Sequence, residues 1–325
     1  MKEIRFLNQN IKKWQHFESL LDRKQESSAD NIADLFIQVT DDLSYANTFY
    51  PGSKTSDYLN QLASKAHQHI YRNRKIKSGR LIRFWKTELP LLMYSVRKEL
   101  FYAFLIFLVS TLIGVVSAQH DLSFVRIIMG DNYVNSTIDN IKKGNPMAVY
   151  NQMDETSMFL MITVNNIKVA FFAFVTGIFT AFGSGFILFR NGIMLGSFQY
   201  FFAEYDVFWE SVRTIWIHGT LEISAIILAG CAGMVMGNSL IFPGTLPRKI
   251  SLARGTRKGA KIILGIVPLF IVAGFLEGFV TRHTEMPLWL GILIIGSSLA
   301  FVIWYFILYP NQLANQPIQR NEVTH

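Results

Sequence analysis

Residues Trp216 to Leu240, WIHGTLEISAIILAGCAGMVMGNSL, decide how the rest of the chain is read. From Ile223 onward the stretch is apolar enough to lie in lipid, yet it opens with His218 and Glu222, four residues apart and so on one face of a helix. Ala225, Ala229, Gly233 and Gly237 carry that face on at helical spacing. Small residues so placed let a second backbone approach closely, as between membrane helices. An ionisable group at membrane depth costs about 2.5–3.5 kcal/mol even on the lenient insertion scale, so such groups turn toward a partner helix or a wet cavity. A polar pair leading into a packing seam is therefore the first place to look for a working site.

The remainder of the chain agrees with a membrane setting. Half of the 325 residues are hydrophobic, 27 are Phe, and only 17% are charged. The formal charge of +8 does not point to nucleic acid, because more than half of the 31 Lys and Arg precede Leu100 and the others flank apolar runs, where they act as topology signals. Cys231 is the only cysteine and sits inside an apolar run. It excludes an intramolecular disulfide and a thiolate metal cluster, and it reads as a small buried residue. The opening MKEIRFLNQN has no apolar core followed by a small-residue cleavage site, so the first membrane span is expected to serve as its own address.

Working outward, residues 1–99 read as a soluble helical domain. Trp14, Phe17, Leu20 and Leu21 recur at amphipathic spacing, as do Ile32, Leu35, Phe36 and Val39. Tyr50-Pro51-Gly52 breaks the pattern, and a third helix is expected over about Ser56 to Arg74 with Tyr58, Leu62, Ala66 and Ile70 on one face. A basic segment follows, from Arg72 through Arg74, Lys75, Lys77, Arg80, Arg83 and Lys86 to Arg97 and Lys98. It fits a cytoplasmic retention signal, with attraction to anionic lipid as the second use.

Residues 100–309 read as six membrane spans, and residues 310–325 as a cytoplasmic tail. Span 1 is Leu100 to Ala118, residues 119–157 form an external loop, and Met153 to Val164 is read as a helix approaching the membrane again. Span 2 is expected over Val169 to Phe189. Arg190-Asn191-Gly192 is read as a turn at the inner face, with span 3 starting at Ile193 and ending in an interfacial belt of aromatics. Span 4 is the opening stretch, span 5 runs from Ile262 to Val280, and span 6 from Leu288 to Leu308. The loop after span 4 carries Arg248, Lys249, Arg254, Arg257, Lys258 and Lys261 with no acidic residue. With six spans that loop and both termini lie inside, whereas a count of five forces it outside, against the positive-inside rule. The expected fold class is thus all-α, a polytopic bundle of about six spans with an N-terminal cytoplasmic helical domain. No internal repeat is visible, so an inverted-repeat transporter finds no support.

For chemistry, His218 and Glu222 are the sharpest candidates, since an imidazole and a carboxylate can share a proton, bind a cation or orient one another. Alternatively both sit at the outer interface, with Arg213 or Lys168 beside the Glu. Glu277 in span 5 lies at the depth where span 4 begins, with Arg282 or His283 as interfacial alternatives. Together with Asn165, Asn166 and Lys168 these residues outline a polar cluster under the outer leaflet. Two donors do not make a zinc site, and the HExxH spacing is absent, so no metal or other cofactor is expected. Ser184 does not serve as a protease nucleophile, because the topology places it at the opposite end of its span from His218; Thr176, Thr180 and Ser184 read as packing positions. Neither a phosphate-binding loop nor a nucleophile elbow appears, so no enzyme is expected.

The segments YPGSKTSDYLNQLASKAHQHIYR, NNIKVAFFAFVTGIFTAFGSGFILFRNGIMLG and HGTLEISAIILAGCAGMVMG, with the basic loop before span 5, resemble the stage II sporulation protein M family of bacterial integral membrane proteins. Onto its motif series fall Asn165, Asn166, Asn191, Gly192, His218, Gly219 and Glu222. Family members commonly carry Pro two residues after the Glu, where this chain has Ser224. The resemblance implies a multi-span scaffold. The family's named member works with peptidoglycan-degrading partners in spore formers, and relatives are widespread in bacteria that make no spores. The leading expectation is a scaffold or anchor for a complex in the inner membrane, linked to envelope remodelling. Its expected partners are the bilayer, other membrane or envelope proteins and copies of itself. The alternative is an ion- or proton-coupled permease using His218, Glu222 and Glu277.

Overall fold

The computed structural model describes residues 3–22, 29–72, 79–148, 154–281 and 286–316, and the chain divides into two units, Met1–Arg80 and Leu81–His325. Arg74, Lys75 and Lys77 of the basic segment, Arg282, His283 and the end of the tail lie outside the described residues. All regular structure among the described residues is helical.

The first unit is three helices, α1 (Glu3–Asp22), α2 (Ala29–Phe49) and α3 (Lys54–Arg72). The stripes read from the sequence close on one another: Trp14 and Phe17 of α1, Val39 and Ala46 of α2, and Leu59, Leu62 and Ala66 of α3 are buried in one core. Trp14 Nε1 donates to Asp42 at 2.7 Å, and the hydroxyl of half-buried Tyr58 donates to Glu18 at 2.9 Å, so the polar tips of both rings are satisfied. Pro51 and Gly52, the latter at φ 73°, make the break between α2 and α3.

Helix α4 (Arg80–Arg83) spans the division, and the second unit continues with a π-helical turn at Phe84–Glu88 and α5 (Leu89–Ser95). Leu89, Met93 and Val96 are buried in the main core of this unit. The long helices follow: α6 (Arg97–His120), α9 (Glu155–Val175), α10 (Thr180–Glu204), α11 (Phe208–Ile241), α12 (Arg248–Phe275) and α13 (Leu288–Ile303). Short α7 (Leu122–Met129) and α8 (Asp131–Lys142) lie between α6 and α9, and α14 (Tyr309–Ala314) closes the described chain. Among the described residues, five helical stretches are long and apolar enough to cross a membrane. The second of them, Glu155–Glu204, is two helices, because the chain folds back on itself at Thr176–Phe179.

Contacts along α11 establish the reversal. Glu222, Gly233 and Gly237 meet Asn166, Ala173 and Gly177 of the α9 side in ascending order, while Gly230, Gly233 and Gly237 meet Leu188, Ser184 and Ala181 of α10 in descending order. Hence α9 runs parallel to α11 and α10 antiparallel. The Ser184 hydroxyl donates to the Ala173 carbonyl at 2.7 Å across the turn, and Thr180 holds φ 68° and ψ −179°, a conformation that only glycine adopts at ease. The expected spans 2 and 3 are corrected accordingly: α9 and α10 are the two crossings, about 31 and 37 Å long at 1.5 Å per residue. Arg190-Asn191-Gly192, read as a turn, lies within α10. Of Met153 to Val164, read as a helix approaching the membrane, Met153 lies outside the described residues, and from Glu155 onward the segment is the first half of a crossing.

Six crossing helices result among the described residues. Gly192, facing Phe107 and Ser110, and Gly196, facing Thr111 and Val115, lay α6 parallel to α10. Gly255, facing Ser239, and Gly259, facing Ala232, lay α12 antiparallel to α11. The starts of α6 and α12, with Arg97, Lys98, Arg248 and Lys249, thus share one end of the bundle, here the basic end. At the other end Val125 of α7 and Val134 of α8 pack with Met158, Phe201 and Phe202 as a small cap. Along the bundle's sides Phe101, Leu112, Phe171, Phe182, Phe186, Ile292 and Leu293 are exposed, the surface a bilayer covers. The chain is an integral membrane protein of all-α class.

Candidate functional site

Helix α11 is the central element: every residue from Ile227 to Gly237 is buried, as are Ile217 to Leu221. The small residues Ala225, Ala229, Gly233 and Gly237 are all buried, and the last two take the turn between α9 and α10 against bare backbone. That seam is filled within the chain. Beyond Ala225, toward the cap, the same helix presents its polar pair.

His218 is 3% exposed. Its Nδ1 lies 3.0 Å from Thr281 Oγ1, and its Nε2 lies 3.7 Å from Glu277 Oε2. Glu277 is carried on a π-helical turn, Leu276–Val280, that ends α12, and the Thr281 amide closes this turn on the Leu276 carbonyl at 2.8 Å. Such turns in an α-helix recur at functional sites because they re-aim a side chain by one extra residue. One turn along α11 from His218, Glu222 accepts a hydrogen bond from the Asn166 amide of α9 and is hydrogen-bonded to Glu277. Three helices therefore deliver His218, Glu222, Glu277 and Asn166 to one buried point, and one donor atom from each of the His and the two Glu lies within 4.8 Å of the others.

This arrangement can do two things. Two carboxyl groups bonded to one another share a proton, and an imidazole beside them is a second proton acceptor. Three donors at this separation, with the histidine's other nitrogen held by Thr281, are also the framework of a cation site, since ligating histidines are oriented through the nitrogen that does not bind. Glu277 supplies the third donor that His218 and Glu222 lack in sequence. On the cap side, a cavity of about 910 Å³ lined by Asp206, Glu210, Arg213, Ile217, Thr281 and Gly291 reaches Thr281, the group that touches His218.

Asn165 and Lys168 are not part of this cluster. Neighbouring residues on a helix point about 100° apart, and where Asn166 faces α11, Asn165 and Lys168 are exposed on the flank of α9. There they line a groove of about 560 Å³ together with Arg190 and Asn191 of α10. Gly192 instead faces α6, where Ser110 and the Phe107 carbonyl leave no room for a side chain, and Gly219 is buried on α11 with only Ile215 near its missing Cβ. Ser184 is committed to the Ala173 carbonyl and His218 to Thr281, so the two are not a nucleophile and base. Cys231 is buried, its Sγ 4.0 Å from the Val96 carbonyl. Thr281 is the residue that reading the sequence misses; its signal was its position four residues after Glu277, on the same side of the helix end.

In comparison with known families, the model described as stage II sporulation protein M matches residues 103–282, and one described as a domain of unknown function, DUF8413, matches residues 4–72. The first covers every member of the buried cluster, and the second coincides with the three helices of the first unit. No curated protein and no solved structure matches the chain.

Proposed function

The chain belongs to the stage II sporulation protein M family, and from that premise we propose that it is a non-enzymatic permease that takes a proton or a metal cation through the membrane at His218, Glu222 and Glu277. The observation that carries this reading is the convergence of the three side chains inside a crossing bundle, with Asn166 and Thr281 fixing their orientation. Ionisable groups at such depth are costly, and nothing about packing three helices requires them. The cation enters from the cavity at the cap, meets His218 past Thr281, and is passed to the Glu277–Glu222 pair. The positive-inside rule puts the basic end, with Arg97, Lys98, Arg248 and Lys249, on the cytoplasmic side of the inner membrane, and both termini with it.

A test follows directly. The purified chain, reconstituted in vesicles with a pH- or metal-sensitive dye inside, is expected to pass protons or a divalent ion down an imposed gradient, and Glu277→Gln or His218→Ala is expected to lower the rate at least tenfold. Equal rates for wild type and both variants would remove the permease reading. The scaffold reading is favoured by a different observation: the first unit has its own closed core and a family of its own, as a docking module does. On that reading the unit binds envelope proteins or a second copy, and the buried cluster is architecture.

A further inference from the structure

The corrected course of α9 and α10 moves two cations. Lys168, read as lying at the outer edge, and Arg190, read as an inner-face turn residue, both sit well inside the crossing segments. Arg190 is about 15 Å along α10 from its start, and Lys168 about 10 Å from the end of α9. Both are exposed on the bundle's side and line the same groove of about 560 Å³. Among the described residues neither has a carboxylate partner. The groove's other polar lining is Asn165 and Asn191, and the rest of it is apolar, with Phe172 and Met194 at its open side. Two unpaired cations held at this depth in hydrocarbon call for an anion.

We propose that this groove holds the phosphate headgroup of an anionic phospholipid, drawn below the plane of the leaflet at the basic end. Lys168 and Arg190 close on the phosphate, Asn165 and the second amide hydrogen of Asn191 donate to its remaining oxygens, and the acyl chains lie along Phe172 and Met194. Three observations select this occupant. The mix of cationic base and apolar wall fits an amphiphile better than a free anion. The groove is larger than a carboxylate side chain needs. A second copy offers no exposed carboxylate at this depth, because the exposed acidic residues of the crossing helices, Glu155, Glu204 and Glu210, cluster at the cap end. The inference uses none of the residues of the buried cluster and stands apart from the permease reading.

The experiment places the full chain in phosphatidylcholine vesicles containing a trace of spin-labelled phosphatidylglycerol or spin-labelled phosphatidylcholine, and reads the motionally restricted fraction in 1 M NaCl. At that salt the Debye length is about 3 Å, which screens the exposed basic end. Wild type is expected to prefer phosphatidylglycerol on the order of tenfold. Lys168→Met/Arg190→Met, which removes charges from lipid-exposed positions and so does not endanger insertion, is expected to lose the preference, while Arg248→Gln/Lys249→Gln keeps it. The proposal is overturned if the double Met variant retains the wild-type preference or if wild type shows none. It is overturned equally if millimolar inorganic phosphate displaces the labelled lipid, which assigns the groove to the free anion, or if the double Met variant only dissociates a dimer.

Discussion

His218 offers its two ring nitrogens to different neighbours, Nδ1 to Thr281 and Nε2 to Glu277, and that division gives the cluster its direction. A hydroxyl that fixes one nitrogen sets the plane of the ring and therefore where the other points. If the cluster binds a divalent ion, Thr281→Val is expected to weaken Mn²⁺ or Zn²⁺ binding about tenfold while His218→Ala weakens it more, as read by titration calorimetry on detergent-solubilised protein. Identical affinities for wild type and Thr281→Val would show that Thr281 does not orient a ligand. His218 and Glu222 stood out in the sequence because their four-residue spacing is local, and the bond from Asn166 to Glu222 joins residues of two separate spans that only the fold brings together. Asn165 and Asn166 look equivalent as letters. They part company because helical geometry turns one toward α11 and the other toward the groove.

At the level of elements, the seam on α11 works by the absence of side chains. A Cβ at Gly237 would run into the backbone of Thr180, Ala181 and Gly177, atoms that cannot swing aside, whereas one at Gly296 on α13 meets nothing within 4 Å. Gly237→Ala is therefore expected to destabilise the bundle by about 1–3 kcal/mol, the usual cost of overpacking. Gly296→Ala should be neutral or stabilising by up to about 1 kcal/mol through helix propensity. Comparing the two by thermal unfolding in detergent decides it, and equal midpoints would mean that α11 does not rest on the turn. The small-residue spacing of this seam was legible in the sequence. Its partner was not: Arg190-Asn191-Gly192 carries turn chemistry yet continues α10, since Gly192 is there to let α6 approach. The real reversal uses Thr180, a residue with no turn preference, held at a positive φ by the packing around it.

For the whole molecule, the division at Arg80 separates two kinds of stability. The crossing helices keep their backbone hydrogen bonds wherever lipid surrounds them, whereas the first unit closes a core of its own within 80 residues, a size at which few buried groups are dispensable. The stripes of α1 and α2 and the break at Pro51 made this unit readable from spacing alone, but which stripe meets which depends on contacts that no local pattern encodes. Trp14 is fully buried, is the only tryptophan before Trp85, and has its indole satisfied by Asp42, so it reports on the core unaided. Residues 1–80 expressed alone are expected to fold, with blue-shifted Trp14 fluorescence and one cooperative urea transition. Asp42→Ala, which strands the indole N–H, should cost about 1–3 kcal/mol. Alkali supplies a second reading. Burial and its bond to Glu18 push the Tyr58 hydroxyl from 10.0 up to about 12, so its contribution to stability is complete below pH 10.0 and is lost as pH rises through about 12. Tyr58→Phe should flatten that alkaline fall while leaving the neutral-pH transition cooperative. A fragment whose Trp14 emission is already red-shifted at pH 7 would show instead that the three helices fold only as part of the full chain.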